Sequence, residues 1–133
     1  MAGTGAKNLT GTWHGQYSYA GVDGPVAFTA DVVEIGGQIS GGTSETGATR
    51  TGAAAQFRAA LSGRRSGHNV AFTKIYDGSG GWHHSVDYDG VLSADGTEIE
   101  GQWRIPGKLT GKFLMIRPLG KTQSVTKRVA ERV

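Results

Sequence analysis

Between Thr10 and Pro118 the chain runs as short stretches rich in β-branched and aromatic residues, each ended by Gly, Asp or Ser. That rhythm is the strongest constraint on its fold, because stretches of this length bounded by turn formers read as strands. Eight are predicted, over residues 10–19, 25–35, 37–45, 55–63, 67–76, 82–93, 97–105 and 108–117. The connections at Gly36-Gly37, Ser62–Gly67, Ser93–Gly96 and Pro106-Gly107 are turns, short enough to pair each strand antiparallel with the next. No interior segment keeps a helical period. The expected fold class is therefore all-β, an eight-stranded antiparallel up-and-down β-barrel. Eight is the number at which a meander closes and loses its edges. Two stacked sheets are the alternative arrangement of the same strands.

Glycine, at 23 residues against 3 prolines, shows no triplet period, so it marks turns and bent strands rather than a collagen-like repeat. The predicted organisation is a flexible N-terminal segment over 1–9, a barrel domain over 10–118 and a tail over 119–133. In the tail, Val125 and Val129 stand four apart among charges, which predicts a short helix or a frayed end.

Side chains on a strand alternate between faces, so one anchor fixes each inner set. Trp13, Tyr17 and Tyr19 share a parity on the first strand, and Leu109, Phe113, Met115 and Arg117 share one on the last. The same argument places Phe28, Ala30, Val32, Ile39, Phe57, Leu61, Val70, Phe72, Val86, Leu92, Ile99, Trp103 and Phe113 inside. Gly15, Gly41, Gly101 and Gly111 fall on that face too, where they either relieve crowding or leave room for a cavity.

Leu9-Thr10-Gly11-Thr12-Trp13 resembles the G-x-W opening of the calycins, the superfamily of lipocalins, fatty-acid-binding proteins and avidins. The resemblance implies a lipocalin-like barrel in which Trp13 packs against a cation from the last strand at the closed end. Arg117 has the matching position, and a guanidinium lies readily on an indole face. Within this group the chain departs from avidins: Gly15 stands where they carry a ligand-binding asparagine. Biotin is not the expected ligand.

If Trp13 and Arg117 mark the bottom, the meander places Tyr17, Tyr19, Glu45, Lys74, Tyr76, Trp82 and His84 toward the opposite mouth. These residues, with Trp103 from the inner set, are the candidate ligand-binding residues. An apolar lower half under an aromatic and ionisable mouth suits a small ligand with an apolar body and a polar head. Two other roles remain open for Glu45, Lys74 and His84: an internal ion-pair plug, or side chains that reach past the rim into water. Three function classes follow. The leading one is a non-enzymatic small-molecule binding protein. The second is a small β-barrel enzyme of isomerase, cyclase or dehydratase type, using His84, Lys74, Glu45 or the tyrosines as acid and base. The third is an interaction module that uses outward-facing Ile75, Val91, Leu114 and Ile116, with a second copy as a homodimer partner.

Other signals are weak. No cysteine is present and the formal charge is only +3, which reads as a solvated surface rather than a nucleic-acid interface. His83 and His84 are adjacent, so on a strand they point to opposite faces and do not chelate one ion together. No cofactor or metal is expected. The apolar runs are too short for a membrane span or a secretory signal, and the expected localisation is cytoplasmic.

Overall fold

The computed structural model describes residues 8–18, 24–48 and 52–118. Eight antiparallel strands follow one another around a closed barrel: β1 (Gly11–Ser18), β2 (Val26–Ile35), β3 (Gln38–Ala48), β4 (Ala54–Ser66), β5 (Asn69–Tyr76), β6 (Ser85–Leu92), β7 (Glu98–Ile105) and β8 (Leu109–Ile116). Each pairs with the next, and β8 returns to β1 with Tyr17 opposite Phe113 and His14 opposite Ile116. Closure removes both sheet edges, which the stacked-sheet alternative would leave exposed. Among the described residues no helix is long and apolar enough to cross a membrane. Tyr19 and the predicted tail helix lie outside the described residues.

Two strand boundaries differ from expectation. The turn predicted over Ser62–Gly67 is only Gly67-His68, because β4 stays paired with β5 as far as Ser66 opposite Asn69. Arg64 and Arg65 look like turn residues, yet Arg65 has inward parity and finds a carboxylate partner in Glu34. The sixth strand begins at Ser85, which leaves Trp82 and His84 in the connection before it.

All thirteen side chains predicted inside are buried in one core cluster, joined by Leu9, Tyr17, Ala59, Tyr76, Tyr88 and Met115. Leu9 was expected in a flexible leader but is 1% exposed. Leu109 shares the inner parity of β8 and is nonetheless 48% exposed, because it sits at the rim. The expected outer apolar stripe is broken: Ile75 and Val91 are exposed toward opposite ends of the barrel, while Leu114 and Ile116 are buried. The inward glycines relieve crowding rather than leave space. A Cβ on Gly101 would stand 1.9 Å from the Asp89 carbonyl oxygen, and one on Gly15 would stand 2.3 Å from the Phe28 ring.

Two arginines seal the end opposite the mouth. The Arg117 guanidinium lies over Trp13, with Cζ 4.4 Å from the ring centroid. It donates to the carbonyls of Gly96 at 2.9 Å, Asn8 at 2.8 Å and Thr10 at 3.3 Å. The indole Nε1 donates to the Leu9 carbonyl at 2.9 Å, so strand one, the strand-eight end and the leader are tied at one point. Beside them, Arg65 donates from Nε and Nη2 to the two Glu34 oxygens at 2.8 and 2.7 Å, and the Leu9 amide donates to Glu34 at 3.0 Å. Burial pushes the Glu34 carboxyl up, but the hydrogen bonds from Arg65 and Leu9 outweigh it and hold the group below its ordinary value.

Arg117→Ala leaves three carbonyls without this donor and uncovers the indole, and is expected to lower stability by about 2–3 kcal/mol. Arg117→Lys should recover less than half of that, because an ammonium cannot lie flat and serve three acceptors at once. Urea midpoints at constant m-value measure both; an unchanged midpoint for Arg117→Ala would remove the clasp from the account of the fold. For Glu34 the folded pKa lies below the unfolded one, so its contribution is present above the ordinary carboxylate range and fades as pH falls through the folded value. Glu34→Gln should therefore lower stability by about 1.5–3 kcal/mol at pH 7, with the gap narrowing below roughly pH 4. Melts of both proteins across pH test this, and a gap independent of pH would contradict it.

Candidate functional site

At the other end, alternation along β1, β3 and β5 brings Tyr17, Glu45, Lys74 and Tyr76 to one level inside the barrel. Lys74 is fully buried and donates to Glu45 Oε1 at 3.1 Å. Tyr76 donates to the same oxygen at 2.7 Å, and Tyr17 donates to Oε2 at 2.6 Å. Around the ammonium stand the rings of Tyr17 and Phe28, each 4.9 Å away, Tyr76 at 5.0 Å and Tyr88 at 5.4 Å. One carboxylate and four ring faces thus replace the water that a lysine normally keeps. Burial pushes the Lys74 ammonium below its ordinary value, with Glu45 opposing the shift. Burial, then the Glu45 charge, pushes the hydroxyls of Tyr17, Tyr76 and Tyr88 well above the usual phenol range, so all three are neutral donors at any physiological pH.

Above this layer lies an open pocket of about 370 Å³. Tyr17, Tyr76, Tyr88 and Trp103 form its deeper wall, with Val86 and Ile105 on the sides and Trp82, His84, Lys108 and Leu109 toward the rim. Tyr88 faces Trp103 across the β6–β7 pair, and Trp103 Nε1 donates to the Ser18 carbonyl at 3.1 Å, which fixes that ring.

The segment between β5 and β6 is a pinned turn. Asp77 donates from its amide to the Arg58 carbonyl and accepts from the Ser79 amide, Ser79 Oγ accepts from the Arg58 amide, and Gly78 donates to the Trp82 carbonyl. Trp82 then stacks on Phe57, with centroids 4.0 Å apart, and stands edge-on to Tyr76 at 5.0 Å. His84 packs 4.8 Å from the Tyr76 ring.

Of the residues expected at the mouth, Tyr17, Tyr76, Trp82, His84 and Trp103 line the pocket, while Glu45 and Lys74 lie buried beneath the two tyrosines. The plug and the pocket, posed by the sequence as alternatives, coexist as floor and chamber. Sequence reasoning missed Tyr88, although its parity with Val86 was the signal. It also missed Ile105, the last residue of β7 and of one parity with Trp103, and Lys108, which enters through the short β7–β8 turn. Among the described residues no three metal-ligating side chains converge.

Lys74→Met alone strands the Glu45 charge and is expected to cost about 3–5 kcal/mol. Adding Glu45→Gln removes the stranded charge, keeps one oxygen as acceptor and lets the amide NH2 donate to the other phenol, and should restore more than half of that loss. Denaturant titration of the single and double variants decides it; equal destabilisation of the two would mean that the ion pair is not the coupled unit described. Neither a protein-family model nor a curated protein matches the chain.

Proposed function

We propose that this protein binds a small, partly apolar molecule in the aromatic pocket at the open end of its barrel. The observation that carries the reading is the Tyr88 hydroxyl. Its residue is 2% exposed and lines the pocket, yet among the described residues no hydrogen bond engages that hydroxyl, whereas those of Tyr17 and Tyr76 are committed to Glu45. A donor held on the wall of an apolar chamber is what a ligand with one polar atom requires. The volume lies at the lower end of the range for small-molecule sites, which favours a ligand of two or three rings over a long chain. The G-x-W opening with Arg117 on the indole supports grouping the barrel with the calycins, a resemblance that implies carriage of a ligand inside. Glu45 already accepts from three donors, so the pocket lacks an uncommitted carboxylate base there, which favours binding over acid–base turnover.

Uncharged 1-anilinonaphthalene, whose fluorescence rises in apolar surroundings, is expected to bind with one site per chain. Ile105→Trp places a bulky ring on the half-buried pocket wall and should weaken uptake at least tenfold while the melting temperature stays within a few degrees. No uptake, or uptake indifferent to that substitution, would refute an interior site.

A further inference from the structure

Resting on the binding reading above, we infer that the natural ligand is an anion, its charged group held at the rim by His84 and Lys108 and its apolar body reaching down toward Tyr88 and Trp103. Tyrosines aside, His84 and Lys108 are the ionisable residues that line the pocket, and no carboxylate lines it among the described residues. The carboxylate just beneath, Glu45, is matched by Lys74 and capped by two hydroxyls. Among the described residues the mouth therefore carries one cation, Lys108, beside an imidazole that can become one, with no counter-charge on the pocket wall, and no described ion pair engages Lys108. Charge-assisted hydrogen bonds to a bound anion would supply it.

The dimensions agree. His84, Val86 and Tyr88 lie at successive inward positions, so rim and floor are separated by four residues of extended chain, or roughly 13 Å. That distance accommodates a two- or three-ring body with an acidic group at one end and a polar atom facing Tyr88 at the other.

The rim also makes the site respond to pH. His84 faces Lys74 and Tyr76 from β5, Glu45 from β3, Tyr17 from β1, Lys108 from the β7–β8 turn, and Tyr88 and Trp82 from β6 and the segment before it. Burial, then the positive charges of Lys74 and Lys108, outweighs Glu45 and holds the imidazole below its ordinary value. It is thus neutral at neutral pH. An anion beside it reverses the balance and raises its pKa, so binding takes up a proton over the window between the free and bound values. Affinity for an anion rises as pH falls through that window, and affinity for a neutral molecule does not change.

The test compares 1-anilinonaphthalene-8-sulfonate with its uncharged parent, each titrated by fluorescence at pH 5.5 and pH 8 against the wild type, His84→Gln, Lys108→Gln and Ile105→Trp. Both rim side chains are exposed, so their substitution leaves the core intact. The sulfonate is expected to bind about tenfold more tightly at pH 5.5 than at pH 8. Lys108→Gln should weaken it about fivefold at both pH values, and His84→Gln should abolish the pH dependence. The parent should show no pH dependence in the wild type or any variant, and only Ile105→Trp should weaken it about tenfold. If the parent binds and is blocked by Ile105→Trp, while the sulfonate shows neither the pH dependence nor sensitivity to the rim substitutions, the anion inference fails and the pocket stands. If the parent does not bind, or binds regardless of Ile105→Trp, the pocket reading fails with it.

Discussion

Taking an ammonium and a carboxylate out of water costs several kcal/mol for each ion, and the upper half of this barrel is organised around offsetting that cost. Lys74 and Glu45 meet at the centre, two phenol hydroxyls complete the carboxylate, and four ring faces surround the ammonium. Each of those groups comes from a different strand or a different level of one. The demand of one buried pair therefore sets the identity of residues on β1, β2, β3, β5 and β6. A barrel of eight strands has room to fill its interior with side chains or to hold one small ligand. Here a polar layer divides the space, and the pocket begins where that layer ends.

The two ends of the barrel answer the same problem differently. At the closed end, Glu34–Arg65 and the Arg117 clasp hold charge against backbone groups from the leader and two turns. At the open end two phenols cap the buried carboxylate from the pocket side, and aromatic walls rise above them without being filled. Polarity of the interior thus runs from a sealed, backbone-satisfied base to a mouth whose basic groups face solvent.

The strands and their inner faces were legible because a period of two, once anchored by Trp13 and Tyr17, carries around a meander without further assumption. The Trp13–Arg117 contact was legible for the same reason, with the resemblance pointing to which last-strand residue to pair. Parity also placed Glu45 and Lys74 inside, but it does not say whether inward charges meet one another or a cavity. That depends on axial stagger between strands, which a one-dimensional pattern does not carry. Arg64-Arg65 misled because charge reads as turn until its partner, thirty-one residues away, is in view. Lys108 was missed because it lies in the tight β7–β8 turn, where strand parity has no meaning, whereas Ile105 ends β7 on the parity of Trp103 and was within reach of the period. Tyr88 shares the inner parity of Val86 two residues before it, so the same period places it inside.

Seven of the eight strand pairs are joined by local connections, whereas β1 and β8 are neighbours only because the meander has gone full circle. Bringing the ends of a loop tenfold longer together costs roughly 2 kcal/mol more in chain entropy. That seam therefore carries the largest chain-entropy cost of the eight. Without β8 paired to β1 the sheet would keep two raw edges, and Arg117, one residue past β8, ties that final strand to the leader.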